Sequence, residues 1–274
     1  ATHDALAPGP VLALPRAGRV DHRAALADEE PAHPGVREGE PLHHVDRVRL
    51  LEHELRGELP GLAPDEPVRV NVPVAVNADS LATWFLPALT GFAVQAPALM
   101  QVSVDDEGHT AEWLRSGAVL AAVTAVEQPA SGCSVRPLGA LRYVAAASPA
   151  FVTRFFPQGV DADSLSTAPS LVFNTKASVQ RSWVQRLCGR AVELPCHSLP
   201  TTQGFVAAGL AGMGWAMHPL SLVDELITRG ELVELMPGTP LDVPLFWQQA
   251  RAASSLLEGL TRSVLAAARE GLLQ

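Results

Sequence analysis

Residues 68–89 constrain this chain more than any other stretch. Val68, Val70, Val72, Val74 and Val76 alternate with Arg69, Asn71, Pro73 and Ala75, the period-2 pattern of a β-strand. The strand has to stop near Asn77, because Asn77, Asp79 and Ser80 offer oxygens that cap a helix start. Leu81, Trp84, Phe85 and Leu89 then follow at helical spacing. A strand running directly into a capped helix leaves backbone N–H groups and the positive end of a helix dipole at the mouth of a sheet. A carboxylate binds there at little cost. An ordinary β-α unit gives the same pattern, so the stretch alone fixes local architecture and leaves function open.

The remainder of the chain repeats the alternation. Residues 98–104 read as a second strand, residues 109–115 as a short helix bearing Trp113 and closed by Gly117, and residues 119–126 as a strand apolar throughout. Residues 139–147 carry the chain into a second half. There, helices are expected over 150–156, 179–187, 203–211 and 220–229, with strands over 170–173, 192–199, 214–217, 231–235 and 243–248. A last helix over 254–272 packs back on one half. Strands alternating with helices predict an α/β fold with parallel pairing. Trp84, Trp113, Trp215 and Trp247 each sit in an apolar-periodic element and are expected in the core.

Composition narrows the function. The 274 residues carry a formal net charge of −9, which opposes a broadly basic nucleic-acid-binding surface, although a small reading module can be outvoted by an acidic remainder. No apolar run approaches the ~18 residues of a membrane span, and no basic stretch followed by a long apolar core marks a secretory leader. Cys133, Cys188 and Cys196 are odd in number and lack a C-x-x-C pairing, so they read as buried thiols in a reducing, cytoplasmic setting. No metal site is expected. Neither G-x-S-x-G, Walker A, H-E-x-x-H nor a Rossmann glycine fingerprint occurs, so no catalytic residue and no cofactor are expected.

Literal strings sharpen the picture. NADSLATWF at residues 77–85, VDDEGHT at 104–110, AAVTAVEQPASGC at 121–133, PTTQGFVAAGLAGMGWAMHP at 200–219 and VPLFWQ at 243–248 together resemble, in order, the effector-binding domain of LysR-type transcriptional regulators. The similarity is to the branch that controls arginine and lysine export and covers about residues 68–265. It implies a two-subdomain effector domain like a type 2 periplasmic-binding protein over residues 67–274, preceded by a linker helix and connector over 41–66. Leu42, Val45, Val48, Leu51 and Leu55 supply that helix with an apolar stripe. It also implies a regulator that senses a small effector, with a basic amino acid (lysine or arginine) expected, and acts on promoter DNA as a homo-oligomer, dimer or tetramer, without a membrane partner. A solute-binding protein of the same fold and a fold-related enzyme are the alternatives.

The family's winged helix-turn-helix is expected before residue 40 and is not readable there. Pro8, Pro10, Pro15, Pro31 and Pro34 interrupt the stretch, and Asp28, Glu29 and Glu30 repel phosphates. Residues 1–40 therefore read as an irregular segment or an out-of-frame translation ending near Gly39, and the chain is expected to lack a working DNA reader.

The effector is expected in a cleft between the halves, at the carboxyl ends of strands. Ser80 and Thr83 from the first half and Thr201 and Thr202 from the second would anchor a carboxylate, with Thr124 as a further hydroxyl. Asp105, Asp106 and Glu127 are the candidates for a distal cation, with Glu107 beside them in the same acidic run. One departure from the family pattern weakens basic selectivity: where relatives commonly place an acid two residues after the threonine, this chain has Val126, and Glu127 lies one residue further on.

Overall fold

The computed structural model describes residues 70–96, 98–105, 109–174 and 178–274. The linker stripe, the segment before residue 40, Asp106 and Glu107 lie outside them. Strand β1 (Val70–Asn77) runs straight into a continuous helix, α1, made of an α-turn (Ala78–Ser80), a π-helical stretch (Leu81–Phe85) and a regular α-helix (Leu86–Gln95). Next come β2 (Ala98–Asp105), α2 (Thr110–Arg115) and β3 (Ala121–Thr124). β1 pairs in parallel with both β2 and β3. This is the first half.

Two long antiparallel strands, β4 (Cys133–Ala147) and β9 (Leu241–Ala250), join the halves. Between them lie α3 (Pro149–Phe155), α4 (Ala162–Thr167), β5 (Ser170–Val172), α5 (Val179–Cys188), β6 (Cys196–Ser198), α6 (Thr202–Leu210), β7 (Ala216–Pro219), α7 (Leu220–Thr228) and β8 (Val233–Glu234). The main sheet runs β2-β1-β3-β9-β4-β7 with β8 on β4, and β5 and β6 form a small parallel pair. The closing helix α8 (Glu258–Gly271) returns to the first half, where Gly271 lets its backbone approach Trp84.

The core explains the valine pattern. Val72, Val74 and Val76 face Trp84, Phe85, Leu89 and Phe92 of α1 and Leu260 and Val264 of α8. Ala75, on the other face, packs with Ala122, Leu114 and Val119. β1 is therefore covered on both sides, as parallel strands are. Trp84, Trp215 and Trp247 are buried and Trp113 is half-buried.

Several boundaries differ from expectation. β4 starts at Cys133 rather than near residue 139, because Pro137 sits inside it at a register shift between Pro137 and Gly139, and a proline is tolerated in a ladder at such a bulge. The strand expected over 192–199 shrinks to Cys196–Ser198. Helix α4 is additional, opened by a capping box in which Asp161 and Ser164 satisfy each other's backbone N–H groups. Cys133 is buried, but Cys188 is half-buried and Cys196 exposed, against the expectation of three buried thiols.

Candidate functional site

The two halves meet where β1 ends. A cavity of about 410 Å³ is lined on one side by Ala78, Leu81, Ala82 and Leu86 of α1 and Val104 of β2. On the other side it is lined by Phe173, Pro200, Thr201, Thr202 and Gln203. The walls are mostly apolar, with polar groups entering from the start of α6, as small-molecule sites generally are built.

Asp79 bridges the halves. Thr202 Oγ1 donates to Asp79 Oδ1 at 2.7 Å, and the hydroxyl of Tyr143, on the joining strand β4, donates to Asp79 Oδ2 at 2.8 Å. Hydrogen bonds to an ionised acceptor are among the stronger ones a protein makes. Thr202 therefore does engage a carboxylate, but in the structure it is the protein's own. In the sequence Asp79 reads only as a cap, and Tyr143 carries no signal beyond being the chain's single tyrosine.

Beside this bridge lie polar atoms that the fold leaves unsatisfied. Ser80 is 0% exposed and Asn77 1% exposed, and Ser80 Oγ and both Asn77 amide atoms have no hydrogen-bond partner among the described residues. Each such orphan costs about 1–3 kcal/mol. Asn77 occupies the N-cap position with extended backbone, φ −73° and ψ 148°, the arrangement in which an asparagine side chain normally caps; here it makes no cap bond. Asp79 and Ser80 lie inside the helix rather than at its cap. These three unsatisfied atoms fall within four residues at the carboxyl end of a central strand, next to the cavity residues Ala78 and Leu81, although neither Asn77 nor Ser80 is itself among the cavity's lining.

The other expected residues divide. Thr83 Oγ1 donates to the Asp79 carbonyl at 2.7 Å, and Thr83 lines a separate crevice with Trp84, Pro87, Ser221 and Glu270; the structure does not bring it to the cleft. Thr201 lines the cavity but caps α6, accepting from Gly204 N. Thr124 is fully buried at the end of β3 and accepts from Val126 N at 3.1 Å, which tightens the turn after the strand. Asp105 ends β2 directly opposite Asn77 in the parallel register and accepts from Trp113 Nε1 at 3.1 Å. Asp106 lies outside the described residues. Glu127 is exposed on a loop held by Gln248, whose amide donates to the carbonyls of Val126 and Gln128 and accepts from Ala130 N. No carboxylate lines the cavity among the described residues, and no group of three or more His, Cys, Asp or Glu among them could hold a metal.

Comparison with known proteins identifies the family. Residues 65–269 match the family model of the LysR substrate binding domain. The HTH-type transcriptional regulator ArgP of Pseudomonas aeruginosa is 38% identical over 252 residues, which span 91% of this chain and 82% of that protein. Among solved structures, the C-terminal domains of a LysR family protein from Agrobacterium tumefaciens superpose with a TM-score of 0.72 at 52% identity, covering 75% of this chain and 99% of that one. Full-length LysG from Corynebacterium glutamicum with bound effector Arg superposes with a TM-score of 0.71 at 32% identity, covering 83% and 76%.

Proposed function

This chain belongs to the LysR family of transcriptional regulators, and from that premise we propose that its two halves close over a basic amino acid, L-lysine or L-arginine, as effector. The observation that carries the reading is the pair Asn77 and Ser80, buried and unsatisfied beside the Asp79 bridge that joins the halves. The arginine bound to the LysG relative supports the ligand class. In this reading Ser80 Oγ donates to the effector's α-carboxylate. The start of α6, at Thr201 and Thr202, borders it from the other half. Asp105, or Asp106 beside it, takes the distal cation; Glu127 is the weaker candidate because its loop is exposed and held by Gln248.

The domain senses rather than catalyses, and it works in the cytoplasm as a homo-oligomer. No helix among the described residues is long and apolar enough to cross a membrane. Reading promoter DNA belongs to the intact regulator; residues 1–40 of this chain do not supply it, and gel retardation over a salt series should show only non-specific duplex binding. A thermal-shift screen of the amino acids tests the effector. At ~100 times its dissociation constant a ligand adds about 2.7 kcal/mol of stability, so L-lysine or L-arginine should raise the melting midpoint by more than leucine or glutamate. A flat screen would remove the proposed ligand class.

A further inference from the structure

We infer that Asn77 reads the α-amino-acid head group as a zwitterion, an inference that rests on the proposed amino-acid effector and goes beyond it by assigning the subsite that selects amino acids from other small ions. A side-chain amide presents one donor end and one acceptor end on a single carbon. In Asn77 both ends are buried and both are without a partner among the described residues, so the missing complement must accept at one end and donate at the other. An amino acid offers a carboxylate and an ammonium on one Cα, which is that complement. The argument holds whichever way the amide is turned, because both ends are unsatisfied alike. A simple carboxylic acid or a simple amine would satisfy only one of them.

The neighbours agree. Ser80 Oγ, equally buried and unsatisfied, lies one helical turn on and can join the carboxylate side. The carboxylate of Asp79, two residues from Asn77 and fixed by Tyr143 and Thr202, makes the surroundings negative and favours an ammonium. The backbone at Asn77 suits a capping side chain, yet the amide makes no cap hydrogen bond. A purely structural asparagine would cap.

The test uses the whole protein, titrated calorimetrically with L-lysine, with 6-aminohexanoate, which lacks the α-amine, and with cadaverine, which lacks the carboxylate. The wild type should bind both analogues at least about tenfold more weakly than lysine. In Asn77→Leu, an apolar side chain of similar size, lysine affinity should fall at least about tenfold and the gap between lysine and either analogue should narrow, while the ligand-free melting midpoint holds or rises because two orphaned atoms are gone. Asn77→Ser provides the same comparison if the leucine variant does not fold. Lysine affinity unchanged in the variants, or a loss equal for all three ligands, overturns the inference and leaves the effector reading standing. A wild type that binds no amino acid removes both.

Discussion

Ser80 and His218 are both buried side chains with an unsatisfied polar atom among the described residues, and the fold asks different things of them. Ser80 ends up beside a bridge between two halves, where a ligand can complete it. His218 lies in β7 against Gly209 and Leu232, where burial alone holds its imidazole neutral and pushes its pKa down to about 4. Its folded value lies below the unfolded one of about 6.5, so protons favour the unfolded chain. The stability it contributes is complete above about pH 6.5 and is lost as pH falls toward 4, a loss of about 2 kcal/mol by pH 5. Urea denaturation at pH 7 and pH 5 should show this difference in the wild type and a smaller one in His218→Leu; equal differences would mean that the histidine is not the source. At this scale the sequence was partly legible. Ser80, Thr201 and Thr202 stand out in the string as hydroxyls near helix starts, and the structure puts Thr201 and Thr202 on the cavity wall and Ser80 next to Asp79. Thr83 could not be excluded, since nothing in the string shows that its hydroxyl is spent on the Asp79 carbonyl. Asn77 and Asp79 look like ordinary caps until burial and long-range partners are known.

Among the elements, β4 and β9 matter most, because the chain crosses between the halves on them. The bulge in β4 brings Gly139 against the C-terminus, where Ala140 and Leu273 exchange backbone hydrogen bonds at 2.9 and 3.0 Å. Gly139 has φ +119°, and a Cβ there would lie 2.3 Å from the Leu273 carbonyl oxygen. Gly139→Ala should therefore destabilise the protein by about 2 kcal/mol or more, combining backbone strain with displacement of the chain end. A denaturant midpoint within experimental error of wild type would show that the chain end is not held there. Alternation of apolar residues made β1, β2 and most helices readable in advance. Pro137 hid the start of β4, residues 133–138, because a proline normally argues against a ladder and only the bulge makes it acceptable. Helix α4 was hidden for another reason: six residues with Leu165 as their one large apolar side chain give no periodicity to find.

At the scale of the whole molecule, a ligand that touches both halves binds better when they are closed, and that differential affinity is what shifts a sensor between arrangements. The Asp79 bridge ties the halves in the same place, so effector binding and the Thr202 contact are expected to be coupled. Assembly is a further expectation. Among the described residues β2 is the edge strand of the main sheet, and it exposes Leu99, Val102 and Val104, with Leu86 and Val94 exposed on α1. Apolar side chains on an open edge are a liability unless another surface covers them. Sedimentation at micromolar concentration should give a dimer or tetramer; a single 29.0 kDa species would contradict this. Apart from α4, the order of strands and helices across both halves was legible from periodicity and from family strings, whereas the closeness of Asp79 to Thr202, 123 residues apart, is a product of the fold alone.

The central claim is that the buried end of β1 holds the effector's carboxylate, and one titration tests it most directly: L-arginine into the wild type and into Ser80→Ala by isothermal calorimetry, with melting of both proteins as a control. Removing a hydrogen bond to a charged group costs about 1.5–3 kcal/mol, so affinity should fall roughly ten- to a hundredfold, while the ligand-free variant melts no lower than the wild type because it loses an orphaned hydroxyl. Equal affinity for arginine in the two folded proteins would contradict the assignment.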